Sequence, residues 1–569
     1  MATFIKRIHP LIITSIIAHT DMVCVSELSA TCYNNAMARW QDVNAIYQIY
    51  PRSFRDTNGD GVGDIAGMTE KLDYIKGQPN SLGIDAVWVS PFFRSPMADF
   101  GYDVSDYYSV DPLFGDLEDF KTFIKEAHDR SIKVMVDYVP NHTSDEHPWF
   151  VASKSSREND KRDWYVWRDP QSDGSPPNNW LSVFGGSAWE FDEGTGQYYL
   201  HSFLTKQPDL NWDNPKVREA MCDVLRFWLS LGVDGIRADA VRWVSKDPEL
   251  RDNPPNPDYK EGTDPYHSQI LRYSRYGSKL FDYLREMADV IESFPDTVIL
   301  FEDYPDRHFD VHEQYANFYS VNPSVAAPFN FEGLKSPYGA HEYRQFIDRF
   351  QEMTNNKLRP FYCFSNHDKP RLVSRVGGTA QARLVGLLQL TLPGIPVIYY
   401  GDEIGLHDVV ITPDQVHDPF EKQTPGLGLG RDPERTPMQW SGAENAGFST
   451  TTPWLPLAED FKTNNVAAQT DDPDSFFAMY RALLELRRSA ALRVGDYIEW
   501  PGSNDRVFGF KRKSEFETLL ILLNMSNEAI ECADAEGEVI YSTHPSLETL
   551  TNESIKLQPQ QGVILRQSS

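Results

Sequence analysis

The stretch Gly232-Val233-Asp234-Gly235-Ile236-Arg237-Ala238-Asp239-Ala240-Val241 decides how this chain folds. A helix-period pattern runs up to Gly232, a short apolar strand follows, and its end carries Arg237 and Asp239 with one residue between them. Strand side chains alternate between faces, so these two share one. A guanidinium beside a carboxylate favours the ionised form that a nucleophile or an ion-holding group needs. An ordinary structural ion pair has the same local pattern, and the way the other strands end distinguishes the two.

Upstream of Gly232, Asn214 reads as a helix N-cap and Pro215 as the first helical residue. Val217, Met221, Val224 and Trp228 recur at helical spacing, and Gly232 supplies a left-handed stop. The same unit, strand then amphipathic helix, recurs from about residue 43 onward. Its strands are 45–49, 86–90, 133–137, 235–239, 298–302, 328–331, 360–365 and 396–400. Strands alternating with helices imply a parallel sheet, and eight of them imply an α/β fold of the (β/α)8 TIM-barrel type.

About 95 residues separate the third and fourth strands, far more than one helix requires, which predicts an inserted subdomain at 143–206 forming one wall of a cleft. After a helix near 475–489 the alternation stops, and apolar runs at 508–511, 518–523 and 562–565 predict a C-terminal antiparallel β domain over 493–569. The barrel then occupies 37–142 and 207–492. Residues 1–36 form either an extension or a weak signal-like segment, with Lys6 and Arg7 preceding an apolar run too short to span a bilayer. The first reading favours a cytoplasmic protein and the second a secreted one.

The chain has 83 Asp and Glu against 54 Lys and Arg, a net charge of -29. That balance excludes the basic footprint of a nucleic-acid or anionic-membrane partner and allows a neutral polar substrate. Five scattered cysteines signal neither a zinc site nor a disulfide framework. Monomer and dimer are both open.

Catalytic groups of a parallel barrel sit where strands leave the sheet toward its C-terminal face. Here those ends present Asp137 with Asn141-His142, Arg237 with Asp239, Glu302, and Asn366-His367-Asp368; Asp99 and Tyr102 follow the second strand. Glycoside hydrolysis needs such a set, because one carboxylate attacks while another delivers a proton to the leaving oxygen. Glu302 follows an apolar run that would raise its proton affinity, so it reads as the acid, and Asp239 as the nucleophile. His142 and His367 can hydrogen-bond sugar hydroxyls, and Asp368 can hold a hydroxyl pair.

Asp137-Tyr138-Val139-Pro140-Asn141-His142, Gly235-Ile236-Arg237-Ala238-Asp239, Glu302 and Asn366-His367-Asp368 together resemble the motifs of glycoside hydrolase family 13, the α-amylase family. Gln207-Pro208-Asp209-Leu210-Asn211 and Arg435-Thr436-Pro437-Met438-Gln439-Trp440 resemble its α-glucosidase and oligo-1,6-glucosidase branch. The resemblance covers about residues 40–569. It implies a retaining mechanism with a glycosyl ester on Asp239, Glu302 as acid then base, and Asp368 as the third essential carboxylate. It further implies that Asp99, Tyr102, His142, Arg237, His367 and Arg435 line the pocket for the terminal glucose, with Arg431 the substitute for Arg435. The expected activity is release of terminal α-D-glucose from short oligosaccharides or sucrose. Ala240 after the nucleophile resembles relatives acting on α-1,4 linkages.

Three alternatives accompany this reading. Phe301 stands where many relatives have Gly, which leaves Asp303 as a rival to Glu302. A sucrose isomerase or α-glucosyltransferase could use the same scaffold. A silent transporter-associated subunit would carry a membrane span and often lack the carboxylates; no run of about 18 apolar residues exists, and all three carboxylates are present.

Asp56-Thr57-Asn58-Gly59-Asp60-Gly61-Val62-Gly63-Asp64 spaces oxygen ligands two apart, as hard-cation loops do, although an Asx-rich turn has the same composition. It is not an EF-hand, because the twelfth position is Gly67. The family resemblance implies a structural Ca2+ held by Asp56, Asn58, Asp60, Val62 and Asp64, and no organic cofactor.

Overall fold

The computed structural model describes residues 40, 42–306, 308–544 and 554–567. The N-terminal segment, including Cys24 and Cys32, lies outside them. Eight short strands close a barrel: β1 (Ile46–Ile49), β2 (Ala86–Val89), β3 (Lys133–Tyr138), β4 (Gly235–Ala238), β5 (Val298–Phe301), β6 (Ala326–Asn330), β7 (Phe361–Cys363) and β8 (Ile395–Tyr399). They pair in sequence order and β1 closes on β8, every pair parallel. The strands are buried throughout, because helices cover the barrel outside and side chains fill it inside.

The helix at Pro215–Ser230 shows how a crossover is built. Asn214 accepts a hydrogen bond from the Lys216 amide at 2.9 Å, Pro215 opens the helix, and Gly232 turns the chain at φ 100°. Val217, Met221, Val224 and Trp228 are buried against the barrel.

Between β3 and β4 lies a three-stranded antiparallel sheet of Trp167–Arg168, Trp189–Asp192 and Gln197–Leu200. Trp180, Ala188, Trp189 and Leu200 form its own small core, and Trp164 and Trp167 are buried as well. These tryptophans pack the insertion, and none of them lines the cavity over the barrel mouth. A second long excursion, unforeseen in the sequence, runs between β4 and the helix Leu280–Glu292 and docks on the first. Trp180 Nε1 donates to the Arg251 carbonyl at 2.9 Å, and Asn179 Nδ2 to that of Asn253 at 2.9 Å.

At the C-terminal end β9 (Asp496–Glu499), β10 (Val507–Lys513), β11 (Thr518–Asn524), β12 (Glu538–Ser542) and β13 (Gly562–Gln567) form an antiparallel sheet. One face, with Phe508, Phe510, Leu519, Ile521, Leu523 and Ile564, belongs to the same apolar core as the barrel. The other face buries Val507, Leu520, Leu522, Val563 and Leu565 in a core of its own. Among the described residues no helix is long and apolar enough to cross a membrane.

Candidate active site

Register places the charged groups. Asp137 on β3 lies directly beside Arg237 on β4, and Phe301 on β5 beside Ala238, so Glu302 and Asp239 leave neighbouring strands at one level. Arg237 is the hub of the group. Its Nη1 binds Asp137 Oδ1 and lies 2.6 Å from Asp239 Oδ1, and its Nη2 lies 2.8 Å from Glu302 Oε1. Trp88 Nε1 holds the other Asp137 oxygen at 2.7 Å, and the Ala240 amide donates to Glu302 Oε2 at 2.8 Å. Ala240 reaches that position by adopting the left-handed conformation (φ 49°) just after the nucleophile candidate.

The apolar residues before Glu302 are buried in the barrel wall, Phe301 against Phe318 of the covering helix Val311–Tyr319 at 5.9 Å between ring centres, while the Glu302 carboxyl is ion-paired with Arg237. One electrostatic expectation needs correction. Asp239, expected to be held ionised by Arg237, instead has its proton affinity raised well above the usual aspartate range. Burial is the largest cause; Arg237 opposes it, while Glu302, Asp137 and Asp368 add to it. One guanidinium divided among three carboxylates cannot offset the desolvation of each. Asp137 is likewise pushed up to about 6 by burial, against Arg237 and Trp88. The pair Asp239 and Asp137 therefore favours holding a proton.

Asp303 points away from this cluster, as strand alternation requires. Its carboxylate pairs with Arg242 at 2.8 Å and accepts the Tyr276 hydroxyl, so it is not placed to replace Glu302.

Asp368 lies across the mouth. Burial alone would raise it, but its surroundings hold it well below the usual carboxylate range. His367 is buried and held neutral, so the two guanidiniums carry that effect: Arg435 Nη2 at 3.0 Å and Arg431 Nη1 at 3.3 Å, both from Oδ1. Gln48 Nε2 donates to His367 Nδ1 at 2.7 Å, which leaves Nε2–H to donate to the Tyr102 hydroxyl at 2.6 Å. Tyr50 and Tyr102 stack on opposite sides of that imidazole, at 5.9 and 5.5 Å between ring centres. His142 is pushed down to about 4, chiefly by burial, and its Nε2 lies 3.1 Å from Gln207 Nε2. Both histidines are thus neutral hydrogen-bonding groups at neutral pH.

The arginine assignment changes. Arg435 is fully buried, donates through Nε to the His367 carbonyl at 2.7 Å, and does not line the cavity. Arg431 does line it, bridging Asp99 at 2.7 Å, Asp418 at 2.8 Å and Asp368. Arg435 braces the pocket from behind, while Arg431 can meet a ligand. The intervening short turn Asp432–Glu434 lets two arginines four residues apart reach the same carboxylate.

A cavity of about 670 Å3 opens over these groups, and Asp99, Tyr102, His142, Asp239, Glu302 and Asp368 all line it. Arg237 and His367 sit just beneath. Sequence reasoning missed Phe184, Phe203, Trp243 and Tyr304 in its wall. Phe203 packs between His142 (5.1 Å) and Trp243 (5.0 Å), an aromatic edge built from two separate excursions that no local motif announces.

In the nine-residue loop after β1, Asp56 and Asp64 are buried, and no Lys or Arg ion-pairs with Asp56, Asp60 or Asp64 among the described residues. Asp56 accepts the amides of Gly59 (2.7 Å) and Gly61 (2.9 Å) and the Ser449 hydroxyl (2.5 Å). Asp64 accepts from Thr57 and Gly67, Asn58 accepts the Asp60 amide, and Asp60 accepts that of Val62. No three acidic, histidine or cysteine side chains converge as a ready metal cluster among the described residues.

A closed parallel barrel whose C-terminal mouth gathers three acidic groups, an arginine hub and two neutral histidines defines a sugar-cleaving hydrolase of the (β/α)8 class. The α-amylase catalytic-domain model matches residues 48–495. A probable α-glucosidase from Rhizobium meliloti (strain 1021) is 42% identical over 86% of this chain and 90% of its own. An oligo-1,6-glucosidase from Heyndrickxia coagulans is 39% identical over 87% and 93%. The solved structure of an α-glucosyl transfer enzyme superposes with a TM-score of 0.86 at 40% identity, over 93% of this chain and 99% of that one. The chain belongs to the α-amylase family of glycoside hydrolases, in its α-glucosidase and oligo-1,6-glucosidase branch.

Proposed function

We propose that the protein is a retaining, exo-acting α-glucosidase that releases terminal α-D-glucose from short α-glucosides. The observation that carries this reading is the pairing of Asp239 and Glu302 with the two ends of one guanidinium. Sharing Arg237 favours the separation of about 5–5.5 Å used for covalent catalysis over the roughly 6.5–9.5 Å that leaves room for a water. The Asp99–Arg431 ion pair, with Asp368 and His142, supports a pocket for a single terminal glucose.

In this mechanism Asp239 attacks the anomeric carbon as Glu302 gives its proton to the departing oxygen. Glu302, now ionised, takes a proton from water that displaces Asp239 and restores the α configuration. Arg237 keeps both carboxyl groups oriented throughout. Asp368, held ionised, receives two glucose hydroxyls and favours positive charge at the anomeric centre.

Glucosyl transfer to an alcohol in place of water is a second reading, supported by the likeness to the α-glucosyl transfer enzyme. Chromatography of products from maltose, sucrose and isomaltose tests both. Free glucose from the start supports hydrolysis, and a rearranged or extended saccharide with little glucose supports transfer. No product from any of the three would remove the reading.

The 56–64 loop would hold calcium through Asp56, Asn58, Asp60, the Val62 carbonyl and Asp64. Its all-oxygen, carboxylate-rich donor set without a cationic side-chain partner suits a hard cation. The ion would brace the loop against the Ser449 segment and take no part in the reaction.

A further inference from the structure

The leaving-group side of the cavity differs in charge from the rest of the molecule. In a chain of net charge -29, Arg242, Arg275, Lys335 and Lys369 all line one region of this pocket. Arg242 is paired with Asp303 and Arg275 with Asp306. Lys335 and Lys369 have no ion-pair partner among the described residues; Lys335 Nζ lies 3.5 Å from the Pro305 carbonyl and 5.1 Å from the centre of the Tyr304 ring. Counting those two arginines as neutralised and setting Asp264, which also lines the pocket 3.8 Å from His267, against one of the lysines, one ammonium charge remains over.

Their place follows from the chemistry. Glu302 must face the glycosidic oxygen, so the aglycone lies on its side of the pocket, away from Asp99 and Arg431. Tyr304, two residues beyond Glu302, forms the wall there. Its carbonyl accepts from Arg242, and Lys335 stands over its ring. Lys369 follows Asp368 directly.

Lys335 keeps contact with solvent as a whole residue, but its ammonium end is set among the groups of the pocket wall, against the Pro305 carbonyl and the Tyr304 ring. Burial, and then Arg242, Lys369 and Arg275, push its ammonium down to about 7, with Asp303 opposing. Neighbouring cations that repel one another are the setting in which an anion is favoured. Asn256, Asp264 and Gln269 also line this pocket and can meet sugar hydroxyls, but a neutral aglycone would leave the repulsion between the cations in place.

We propose that the aglycone half of the pocket accepts α-glucosides whose leaving group carries a carboxylate or phosphate, held between Lys335 and Lys369. This rests on the α-glucosidase reading. The charged group would meet both ammoniums while the terminal glucose sits on Asp239 and Asp368.

The test compares kcat/KM for maltobionate and maltitol, which share the glucosyl unit and an open-chain aglycone and differ in one carboxylate. A parallel comparison of sucrose 6′-phosphate with sucrose distinguishes phosphate from carboxylate as the favoured anion. The expected result is a preference for at least one anionic member of roughly tenfold, shrinking as NaCl screens the ammoniums. Lys335→Met and Lys369→Met should each reduce that ratio severalfold, and Lys335→Arg should restore it. Turnover of maltitol and sucrose with anionic-to-neutral ratios at or below one would overturn the anion inference and leave the glucosidase reading standing. No turnover of any α-glucoside would remove both.

Discussion

Arg237 serves three carboxylates, and that division sets the acid–base behaviour of the site. Asp239 must be ionised to attack, yet burial and three neighbouring acids raise its proton affinity above the ordinary aspartate value. Activity of the free enzyme should therefore fall away, as pH is lowered, at a higher pH than an unperturbed aspartate would give. A pH profile of kcat/KM checks this, and an acid limb at or below the ordinary aspartate value would contradict it. The same shift affects stability with a defined sign. A carboxyl group whose proton is held more tightly in the folded state costs stability as pH rises from its unfolded value through its folded one. Asp239→Asn removes that cost, so at pH 7 it should melt no lower than the wild type while losing about 10^3-fold or more in kcat. Thermal melting beside steady-state rates would show both effects.

At the scale of elements, the barrel's strands were legible because each is a short β-branched and aromatic run bounded by turn residues. Their catalytic tips were legible because carboxylates there have no packing role. The loops were not. The excursion after β4 carries no hydrophobic period, so neither its docking on Asn179 and Trp180 nor its contribution of Arg275 to the pocket could be read from spacing. Arg431 and Arg435 sit four residues apart with similar surroundings in sequence, and only the turn between them decides which one faces the cavity. The burial energetics of Asp239 were missed for a related reason: an Arg-x-Asp pattern does not reveal how many other acids draw on the same guanidinium. The 56–64 loop yields its own prediction. Chelation of calcium should lower the melting temperature, and added calcium should restore it, with magnesium less effective. A melting temperature indifferent to both would leave the loop a purely hydrogen-bonded turn.

At the scale of the molecule, the C-terminal sheet is fastened to the barrel as part of one core. Arg512 on β10 is fully buried and donates to the carbonyls of Thr391 (2.7 Å), Leu492 (2.9 Å) and Gly495 (3.0 Å). Arg487 binds those of Asn44, Leu390, Leu392 and Gly394 in the same way. With Leu519, Ile521 and Leu523 in the shared core, barrel and sheet should unfold together. Arg512→Ala leaves buried carbonyls without donors and should cost about 3 kcal/mol or more, seen as a single transition moved to lower temperature. Two separated transitions in the wild type would contradict the shared core.

The covalent step on Asp239 is the central claim, and trapping it is the most direct test. Incubation with a fluorinated α-glucosyl fluoride that forms the ester quickly and releases it slowly, followed by proteolysis and mass spectrometry, locates the adduct. The account predicts one glucosyl adduct on the peptide containing Asp239, absent from Asp239→Asn. An adduct on another residue, or none together with release of β-glucose from natural substrates, would contradict it.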